Sequence, residues 1–438
     1  MTNLDRTPRY NLNAVLHETG LKADLLRVWE KRYQLPKPQR SEGGHRVYSD
    51  YDIATILWLK SKVAEGLSIR RAVDLWNSIL EKGGDPFTPS DQQAPSPSSA
   101  ASTPELTLAR LREDWLAACL RFDRQQADQV IDQAFAMFSV ETVVTHILRH
   151  SLREIGSGWF EKNITVQQEH FASTLTSQRL QTLILLNPPP IRKQTILIGC
   201  PAGEQHTLST LFLHLLLVRY GFNVINFSGD TPSENFVPTA LQVNPDLIIL
   251  TAQTLPTAAS LRDAFLLLRQ TTIPLSYGGL IFHLIPEVRD TIPAYYLGDD
   301  LDDAIQEVDK ILSSSYPPLP KSIISTPLLE LASSFLEKRS LIDQMVLNLM
   351  IESGVSVEFL SEANNHFGKD IYAALKLGNP AFLNEDIHWI KHLLYHRGIA
   401  EILLANYLKA YQKGIIEYMG QPATSLIGWF DQILQTLP

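Results

Sequence analysis

The spacing of hydrophobic positions divides the chain into two helical stretches that flank a mixed one. At 106–187 apolar residues recur every three or four positions, which predicts four amphipathic helices. At 191–315 short continuous apolar runs alternate with helical segments, which is typical of a doubly wound parallel α/β sheet. The predicted strands are 195–200, 223–229, 246–252, 274–279 and 294–298, and the predicted helices between them are 207–220, 233–243, 257–270, 284–290 and 300–313. Residues 326–438 return to a purely helical pattern, so we expect a multidomain α and α/β protein.

Composition limits the class of protein. The 438 residues are 45% hydrophobic and 19% charged, an ordinary globular composition that excludes a wholly disordered or collagen-like chain. No apolar run approaches the roughly 20 residues that span a bilayer, and the N-terminus has no apolar signal core, so we expect a cytoplasmic protein with no membrane partner. The two cysteines, Cys119 and Cys200, are far apart and give neither a disulfide framework nor a CxxC metal site.

Charge separates the N-terminal segment from the rest. Residues 1–83 carry 14 Lys and Arg against 10 Asp and Glu, a net of +4, whereas the other residues carry 24 against 37, a net of −13. A Pro-, Ser- and Ala-rich segment at 84–105 has no apolar period and predicts a flexible linker. This asymmetry suggests a polyanion-binding head joined to an acidic body.

Within the head, the pattern predicts a DNA-binding fold. Residues 11–33 form a short helix, a turn at Gly20 and a basic second helix, the order of a helix-turn-helix. The segment SEGGHRVYSDYDI at 41–53 suits a β-hairpin wing. The whole stretch TGLKADLLRVWEKRYQLPKPQRSEGGHRVYSDYDI resembles the winged helix-turn-helix head of the MerR regulators. The resemblance implies binding to double-stranded operator DNA through Arg27, Trp29 and Arg32 near the recognition helix and through His45, Arg46 and Tyr48 of the wing.

The loop after the first predicted strand of the α/β domain carries a candidate metal ligand. PAGEQHTLSTL places Glu204 and His206 at the carboxyl end of that strand, where ligands of such sheets bind. One imidazole nitrogen can coordinate a metal while the other donates to a carboxylate. The loop resembles the cobalamin-binding signature in which this histidine is the lower cobalt ligand, with Ser209 in place of the usual glycine. The resemblance also implies that Thr251, Thr254, Gly278 and Gly279 line a slot for the displaced nucleotide tail.

The helical stretch at 106–187 contains a second motif, Trp159 followed ten positions later by Glu169 and His170. It resembles the helical cobalamin cap of light-sensing regulators of the CarH and LitR type, in which the tryptophan packs on the upper face of the corrin. Those photoreceptors have a histidine directly after the tryptophan, and that residue binds cobalt after light has removed the adenosyl group. This chain has Phe160 there, and a phenyl ring cannot ligate cobalt.

The helical tail at 326–438 is not accounted for by the resemblance to these regulators, which covers about residues 1–315. His388, His392 and His396 lie at i, i+4 and i+8, which puts them on one helix face. The tail also carries aromatic residues at helical spacing, namely Trp389, Tyr395, Tyr407, Tyr411 and Tyr418. The stretch from 379 to 411 resembles the helical tails of photocobilins, which implies biliverdin as a possible ligand. Oligomerisation and docking to a partner are the alternatives.

The sequence thus predicts a non-enzymatic, cobalamin-dependent transcriptional regulator. Its predicted domains are a winged helix-turn-helix head at 1–83, a linker at 84–105, a helical cap at 106–187, a Rossmann-like cobalamin-binding domain at 191–315 and an all-α domain at 326–438. The resemblance implies adenosylcobalamin, a light response, and a homo-oligomer, dimer or tetramer, on DNA. The alternatives are a regulator that senses redox state or cobalamin supply, a photoreceptor with both bilin and cobalamin, and a methyl-shuttling corrinoid enzyme component.

Overall fold

The computed structural model divides the chain into two compact units, residues 1–155 and 156–438. The structure describes residues 5–19, 21, 26, 29–30, 33, 35–40, 46–64, 69–81, 86–87, 104–161, 163–313, 324–351, 354–396 and 400–437. The greater part of the predicted linker, 88–103, lies outside these residues.

The head of the first unit contains a small antiparallel sheet of strand order β1-β3-β2. Its elements are β1 (Tyr10–Asn11), α1 (Leu12–Thr19), β2 (Gln39–Arg40), β3 (Arg46–Tyr48), α2 (Asp50–Ala64) and α3 (Ile69–Glu81). Between α1 and β2 the described residues Leu26, Trp29, Glu30 and Tyr33 are helical, as the helix-turn-helix pattern predicts. Trp29 and Trp76 are buried in one hydrophobic core that joins the helices to β3.

The first unit continues with the first helices of the predicted cap. They are α4 (Pro104–Leu120), α5 (Arg124–Met137), α6 (Val140–Val143), a π-helical turn (Val144–Arg149) and the start of α7 (His150–Phe160). Asp123 begins α5 by accepting a hydrogen bond from the backbone N of Gln126 at 2.9 Å, and Ser139 caps α6 in the same way. The division between the two units falls within α7, between 155 and 156.

The second unit is built around a five-stranded parallel sheet. Its elements are α8 (Val166–Leu185), β4 (Thr195–Gly199), α9 (Leu208–Arg219), β5 (Asn223–Asn226), α10 (Ser233–Val243), β6 (Leu247–Thr251), α11 (Leu255–Leu268), β7 (Leu275–Gly278), α12 (Leu280–Leu284), a 3-10 turn (Pro286–Thr291), β8 (Tyr295–Tyr296) and α13 (Leu301–Leu312). The strand order is β5-β4-β6-β7-β8, and every neighbouring pair is parallel. All five predicted strands are present, and the predicted doubly wound fold is confirmed.

Alternate residues of β4 and β6 serve the cores on the two faces of the sheet. Ile196 and Ile198 of β4 pack with α9 and α13 on one face. Leu197 belongs to the core on the other face, together with α10 and α11. Burial on both faces is the reason that the central positions of these strands, 196–198 and 247–250, are all apolar. The strand order reverses beside β4, so the ligand crevice of this fold lies at the carboxyl ends of β4 and β6.

The helical tail belongs to the same compact unit as the sheet. Its elements are α14 (Thr326–Met350), α15 (Val357–Lys376), a 3-10 turn (Pro380–Leu383), α16 (Asn384–His396), α17 (Glu401–Met419), a second 3-10 turn (Gln421–Ala423) and α18 (Thr424–Leu434). Leu261 and Phe265 of α11 share one hydrophobic core with Phe335 of α14 and Phe367 of α15. The tail is therefore packed onto the sheet domain, although its helical pattern predicts a domain of its own.

No described helix combines the length and the apolar character that a membrane span requires.

Candidate functional site

The structure describes three of the six residues that are predicted to contact DNA, namely Trp29, Arg46 and Tyr48. Arg27, Arg32 and His45 lie outside the described residues. Trp29 is only 4% exposed and belongs to the core of the head. The prediction that it contacts DNA therefore needs correction, because its indole is used in packing.

The two described wing residues both contact Glu30. Arg46 Nε lies 2.7 Å from Glu30 Oε2, and the Tyr48 hydroxyl donates to Glu30 Oε1 at 2.5 Å. Tyr48 has no exposed surface, so its predicted contact with the DNA backbone is not compatible with this arrangement. Burial, followed by the hydrogen bond to Glu30, raises the pKa of Tyr48. The Arg46 side chain is 38% exposed, and it remains the described wing cation that can reach a phosphate.

In the second unit, Glu204 and His206 form the centre of the candidate cofactor site. The loop after β4 turns at Gly203, whose φ is +83°, and buries the Glu204 side chain completely. Glu204 Oε1 accepts hydrogen bonds from the backbone N of His206 at 2.9 Å and from its Nδ1 at 2.7 Å. The imidazole is 68% exposed. Since an ionised carboxylate only accepts, Nδ1 carries the proton in the neutral imidazole, and the lone pair of Nε2 is then available to a metal.

The second carboxylate oxygen fixes Glu204 itself. Glu204 Oε2 accepts from the backbone N of Gln253 and from the hydroxyl of Thr257, each at 2.7 Å. Burial alone would raise the pKa of Glu204, but the hydrogen bonds from His206, Thr257 and Gln253 outweigh it, so the pKa lies below its ordinary value. Sequence reasoning missed both Gln253 and Thr257. Nothing in the pattern relates Thr257, one turn into α11, to a loop 53 residues earlier.

The predicted hydroxyls at the end of β6 have different roles. Thr251 is buried, and its Oγ1 lies 3.5 Å from Ser209 Oγ. Thr254 is the N-cap of α11 and forms a capping box with Thr257. Thr251 therefore lies within the candidate site, whereas the hydroxyl of Thr254 is engaged in starting the helix.

The two predicted glycines also differ. A Cβ on Gly279 would lie 1.9 Å from the carbonyl oxygen of Ala252, and its φ is +128°, so the backbone requires glycine there. A Cβ on Gly278 would meet no heavy atom within 4 Å. Gly278 pairs with Thr251 at the ends of β7 and β6. Open space therefore adjoins polar groups at the carboxyl edge of the sheet. This space and the Nε2 of His206 fit a corrinoid, which His206 would hold through its cobalt.

The cap motif lies where α7 ends and α8 begins. Trp159 is half-buried near the end of α7, and the chain folds back at once, since the backbone N of Asn163 donates to the carbonyl of Gly158 at 2.8 Å. Glu169 is in the first turn of α8, and its Oε1 accepts from Ser173 at 2.6 Å. The His170 side chain is 74% exposed, with Nε2 3.6 Å from Glu169 Oε2. Phe160 is helical, but its side chain lies outside what the structure describes.

Electrostatics connect the cap motif to the histidine loop. The hydrogen bond to Glu204 raises the pKa of His206 above its ordinary value, and burial opposes that effect. The negative charges of Glu204 and Glu169 also raise it. The fold thus brings Glu169 close enough to act on His206, although 37 positions separate them in the sequence.

The tail residues singled out by sequence fall into two groups. His388 and His392 are exposed, with ring centroids 4.9 Å apart, and Trp389 and Tyr418 are also exposed. Tyr407 and Tyr411 are buried in the core. The side chains of Tyr395 and His396 lie outside the described set. Among described residues, no group of three or more His, Cys, Asp or Glu is placed to hold a metal ion.

Inside the tail, a polar network that sequence reasoning missed joins α14, α15 and α17. The Tyr411 hydroxyl donates to Asp343 Oδ1 at 2.6 Å, and the Tyr407 hydroxyl donates to Asn364 Oδ1 at 2.9 Å. Arg339 Nε lies 3.5 Å from Asp343 Oδ2. These polar positions are hidden in an apolar helical rhythm, and their pairing indicates a tightly specified core.

Comparison with protein families gives two matches. Residues 10–78 match the model of the MerR HTH family regulatory proteins, and residues 111–184 match a B12 binding domain. The first range spans the small sheet and helices of the head, which confirms the helix-turn-helix prediction. The second spans most of α4 through α8 and includes Trp159, Glu169 and His170.

Two curated relatives each match more than half of the chain. The HTH-type transcriptional repressor CarH of Myxococcus xanthus is 28% identical over 279 residues, which is 63% of this chain and 89% of CarH. The HTH-type transcriptional repressor CarA of the same organism is 31% identical over 242 residues, which is 55% of this chain and 75% of CarA. Among solved structures, the monomethylamine corrinoid protein of Methanosarcina barkeri covers 47% of this chain with 98% of its own, at 14% identity and a TM-score of 0.39.

Proposed function

This chain belongs to the MerR-type transcriptional regulators with a B12-binding domain, the family of CarH and CarA, and on that premise we propose that it is a light-responsive, adenosylcobalamin-dependent repressor. It binds cobalamin and regulates transcription rather than catalysing a reaction. We also propose that light is the signal, that the cofactor is the adenosyl form, and that the protein assembles on DNA as an oligomer.

The observation that carries the proposal is the geometry of His206. The Glu204 carboxylate has no exposed surface and accepts four hydrogen bonds, one of them from His206 Nδ1 at 2.7 Å. The imidazole is therefore held in place with Nε2 available as a metal ligand. Carboxylate–histidine pairs of this kind fix the tautomer and increase the basicity of the metal-binding nitrogen. At the carboxyl edge of the same sheet, a Cβ on Gly278 would meet no heavy atom within 4 Å, and we assign the tail of the corrinoid to this place.

On the upper side of the cofactor, Trp159, Glu169 and His170 are the residues that we assign to the cap. Trp159 offers a half-buried indole surface to cover an upper ligand. Glu169 adds negative charge near His206 and so favours a positive charge in the space between them. Bound adenosylcobalamin would supply a cobalt–carbon bond that light cleaves.

Phe160 changes the expected light state. Because a phenyl ring cannot bind cobalt, the chain cannot capture the metal between two histidines through this position. We therefore expect the illuminated state to be reversible, because His206 would be the histidine that holds the cofactor and Trp159 would lose the upper ligand that it covers. The same residue favours the second candidate function, a regulator that senses redox state or cobalamin supply and ignores light.

We assign DNA binding to the head and propose that Arg46 is its phosphate contact among the described residues. A head with a net charge of only +4 binds DNA modestly, and pairing heads in a dimer or tetramer increases the effective concentration of each on repeated half-sites. A ligand that binds the assembled state better stabilises it, and removal of that ligand lowers operator occupancy.

Biliverdin binding by the tail remains a prediction from the resemblance to photocobilins. Tyr407 and Tyr411 pack on each other and on Phe367, with ring centroids 5.1–5.9 Å apart, so these aromatic side chains serve as core of the tail. A partner-docking or oligomerisation role uses the outer surface of the tail instead.

The test is operator binding measured in darkness and after green illumination, with adenosylcobalamin or cyanocobalamin supplied. The proposal predicts that only the adenosylcobalamin-loaded protein loses affinity on illumination. Affinity that depends on cobalamin but not on light would establish the second candidate. Affinity that depends on neither would refute both.

A further inference from the structure

Gln253, between Thr251 and Thr254, spans the carboxyl edge of the sheet. Its side-chain Nε2 donates to Ser209 Oγ at 3.0 Å, and its Oε1 accepts from the backbone N of Leu280 at 3.0 Å. Its own backbone N donates to Glu204 at 2.7 Å, which fixes where the side chain starts. One amide group thus joins two elements across the site.

The positions of the two partners define what the amide crosses. Ser209 is in the first turn of α9, which follows β4, and Leu280 begins α12, which follows β7. Since β6 lies between β4 and β7, the Gln253 side chain bridges the ends of three adjacent strands. The open space at Gly278 lies two residues before Leu280, on this same edge. The bridge therefore adjoins the space that we assign to the nucleotide tail.

Ser209 makes the bridge possible. It stands where the cobalamin signature usually has glycine, and a glycine has no side chain to accept a bond. Thr251 Oγ1 lies 3.5 Å from Ser209 Oγ and helps to hold that hydroxyl in place. The substitution that weakens the match to the signature is thus one half of a specific side-chain contact.

We propose that Gln253 is a latch that discriminates between corrinoids by their lower ends. The nucleotide tail of a complete cobalamin enters the edge only after the amide has released Ser209 and Leu280. A corrinoid without that tail binds with the latch closed. This inference rests on the proposed cobalamin function and deepens it.

The expected effect follows from the number of bonds. Opening the latch breaks two neutral hydrogen bonds, and the freed amide re-forms part of that bonding in water or with the ligand. Removing the latch should therefore tighten binding of a tail-bearing corrinoid about tenfold, mainly through faster association. Leu280 is exposed, so water can satisfy its N–H in the variant.

The experiment compares adenosylcobalamin with adenosylcobinamide, which lacks the nucleotide tail, by stopped-flow absorption in darkness. The variants are Gln253→Leu, Ser209→Ala and the double substitution, and Gln270→Leu on the exposed turn after α11 is the matched control. We expect both single variants to bind adenosylcobalamin faster and more tightly, with adenosylcobinamide unchanged. The double variant should gain less than the sum of the two, because both remove the same bond.

The outcomes separate the two proposals. Weaker or unchanged adenosylcobalamin binding in Gln253→Leu and Ser209→Ala, with wild-type protein that binds the cofactor, would overturn the latch alone. Equal gains for both corrinoids would also overturn it, because the effect would not depend on the tail. Wild-type protein that binds neither corrinoid would refute the proposed function together with the latch. Ser209→Ala keeps a good helix former and decides the matter if Gln253→Leu does not fold.

Discussion

Glu204→Gln removes the charge of the buried carboxylate while preserving its shape. Each oxygen of Glu204 accepts two hydrogen bonds, one of them from a backbone N–H. The amide nitrogen of glutamine cannot accept, so whichever side it occupies leaves a backbone N–H unpaired in a fully buried place. An unsatisfied buried donor costs about 1–3 kcal/mol, so we expect the free energy of unfolding to fall by about 2 kcal/mol.

The same substitution should weaken cobalamin binding more than its effect on folding suggests. If the amide nitrogen faces His206, it can only donate to Nδ1, which moves the imidazole proton to Nε2 and blocks the ligand atom. If it faces Thr257 instead, the orienting negative charge is still lost. Loss of such an orienting partner typically costs 10–100-fold in metal affinity, and we expect a decrease in that range.

Two measurements check this prediction, a cobalamin titration followed by absorption and a urea unfolding curve. Glu234→Gln is the matched control, because Glu234 is exposed in the first turn of α10. Affinity within twofold of wild type, together with stability equal to that of the control, would show that the carboxylate does not position His206.

Three further predictions concern other parts of the chain. Gly278→Ala should fold normally and weaken cobalamin binding, whereas Gly279→Ala should yield little folded protein, as measured by soluble yield and circular dichroism. Arg46→Ala should weaken binding to all DNA sequences alike and make DNA affinity less dependent on salt concentration. Tyr48→Phe should instead lower the free energy of unfolding by about 1–2 kcal/mol and leave that salt dependence unchanged. An unchanged salt dependence in Arg46→Ala would contradict the assignment of Arg46 as a phosphate contact. Burial, followed by the charge of Glu385, raises the pKa of Asp386 to about 7, so the folded state binds the extra proton and stability should fall as pH rises from about 4 to 7. Asp386→Asn should make that fall smaller in unfolding curves measured across the range, and Asp370, whose pKa is also raised by burial and by the charge of Asp386, accounts for the fall that remains.

The sequence predicted all five strands of the sheet, but it did not predict every side-chain contact at the candidate site. Short apolar runs such as TILIGC are typical of strands buried on both faces, and their length and the Pro and Gly that follow distinguished them from buried helices. The Glu204–His206 pair was also predictable, because its two members share one loop. Thr257 and Gln253 were not, since their contacts depend on how the end of β6 lies against the loop after β4.

Side-chain direction accounts for the errors in the head. Trp29 and Tyr48 lie on elements that also present basic residues, and a pattern of mixed apolar and polar positions does not say which of them the core uses. Packing uses both, and Glu30 then holds Tyr48 and Arg46 together. The shared core of the tail and the sheet was equally hidden, because an amphipathic helix does not identify the surface it will cover.

The central claim is that His206 is the axial ligand below cobalt. Electron paramagnetic resonance of the protein loaded with cob(II)alamin tests it most directly, because a single axial nitrogen splits the cobalt lines into triplets. Protein grown with ¹⁵N-labelled histidine should show doublets in their place. His206→Ala should lose the histidine splitting altogether, whereas His388→Ala, an exposed tail variant, should retain it. Triplets that persist with labelled histidine, or an unchanged spectrum in His206→Ala, would contradict the account.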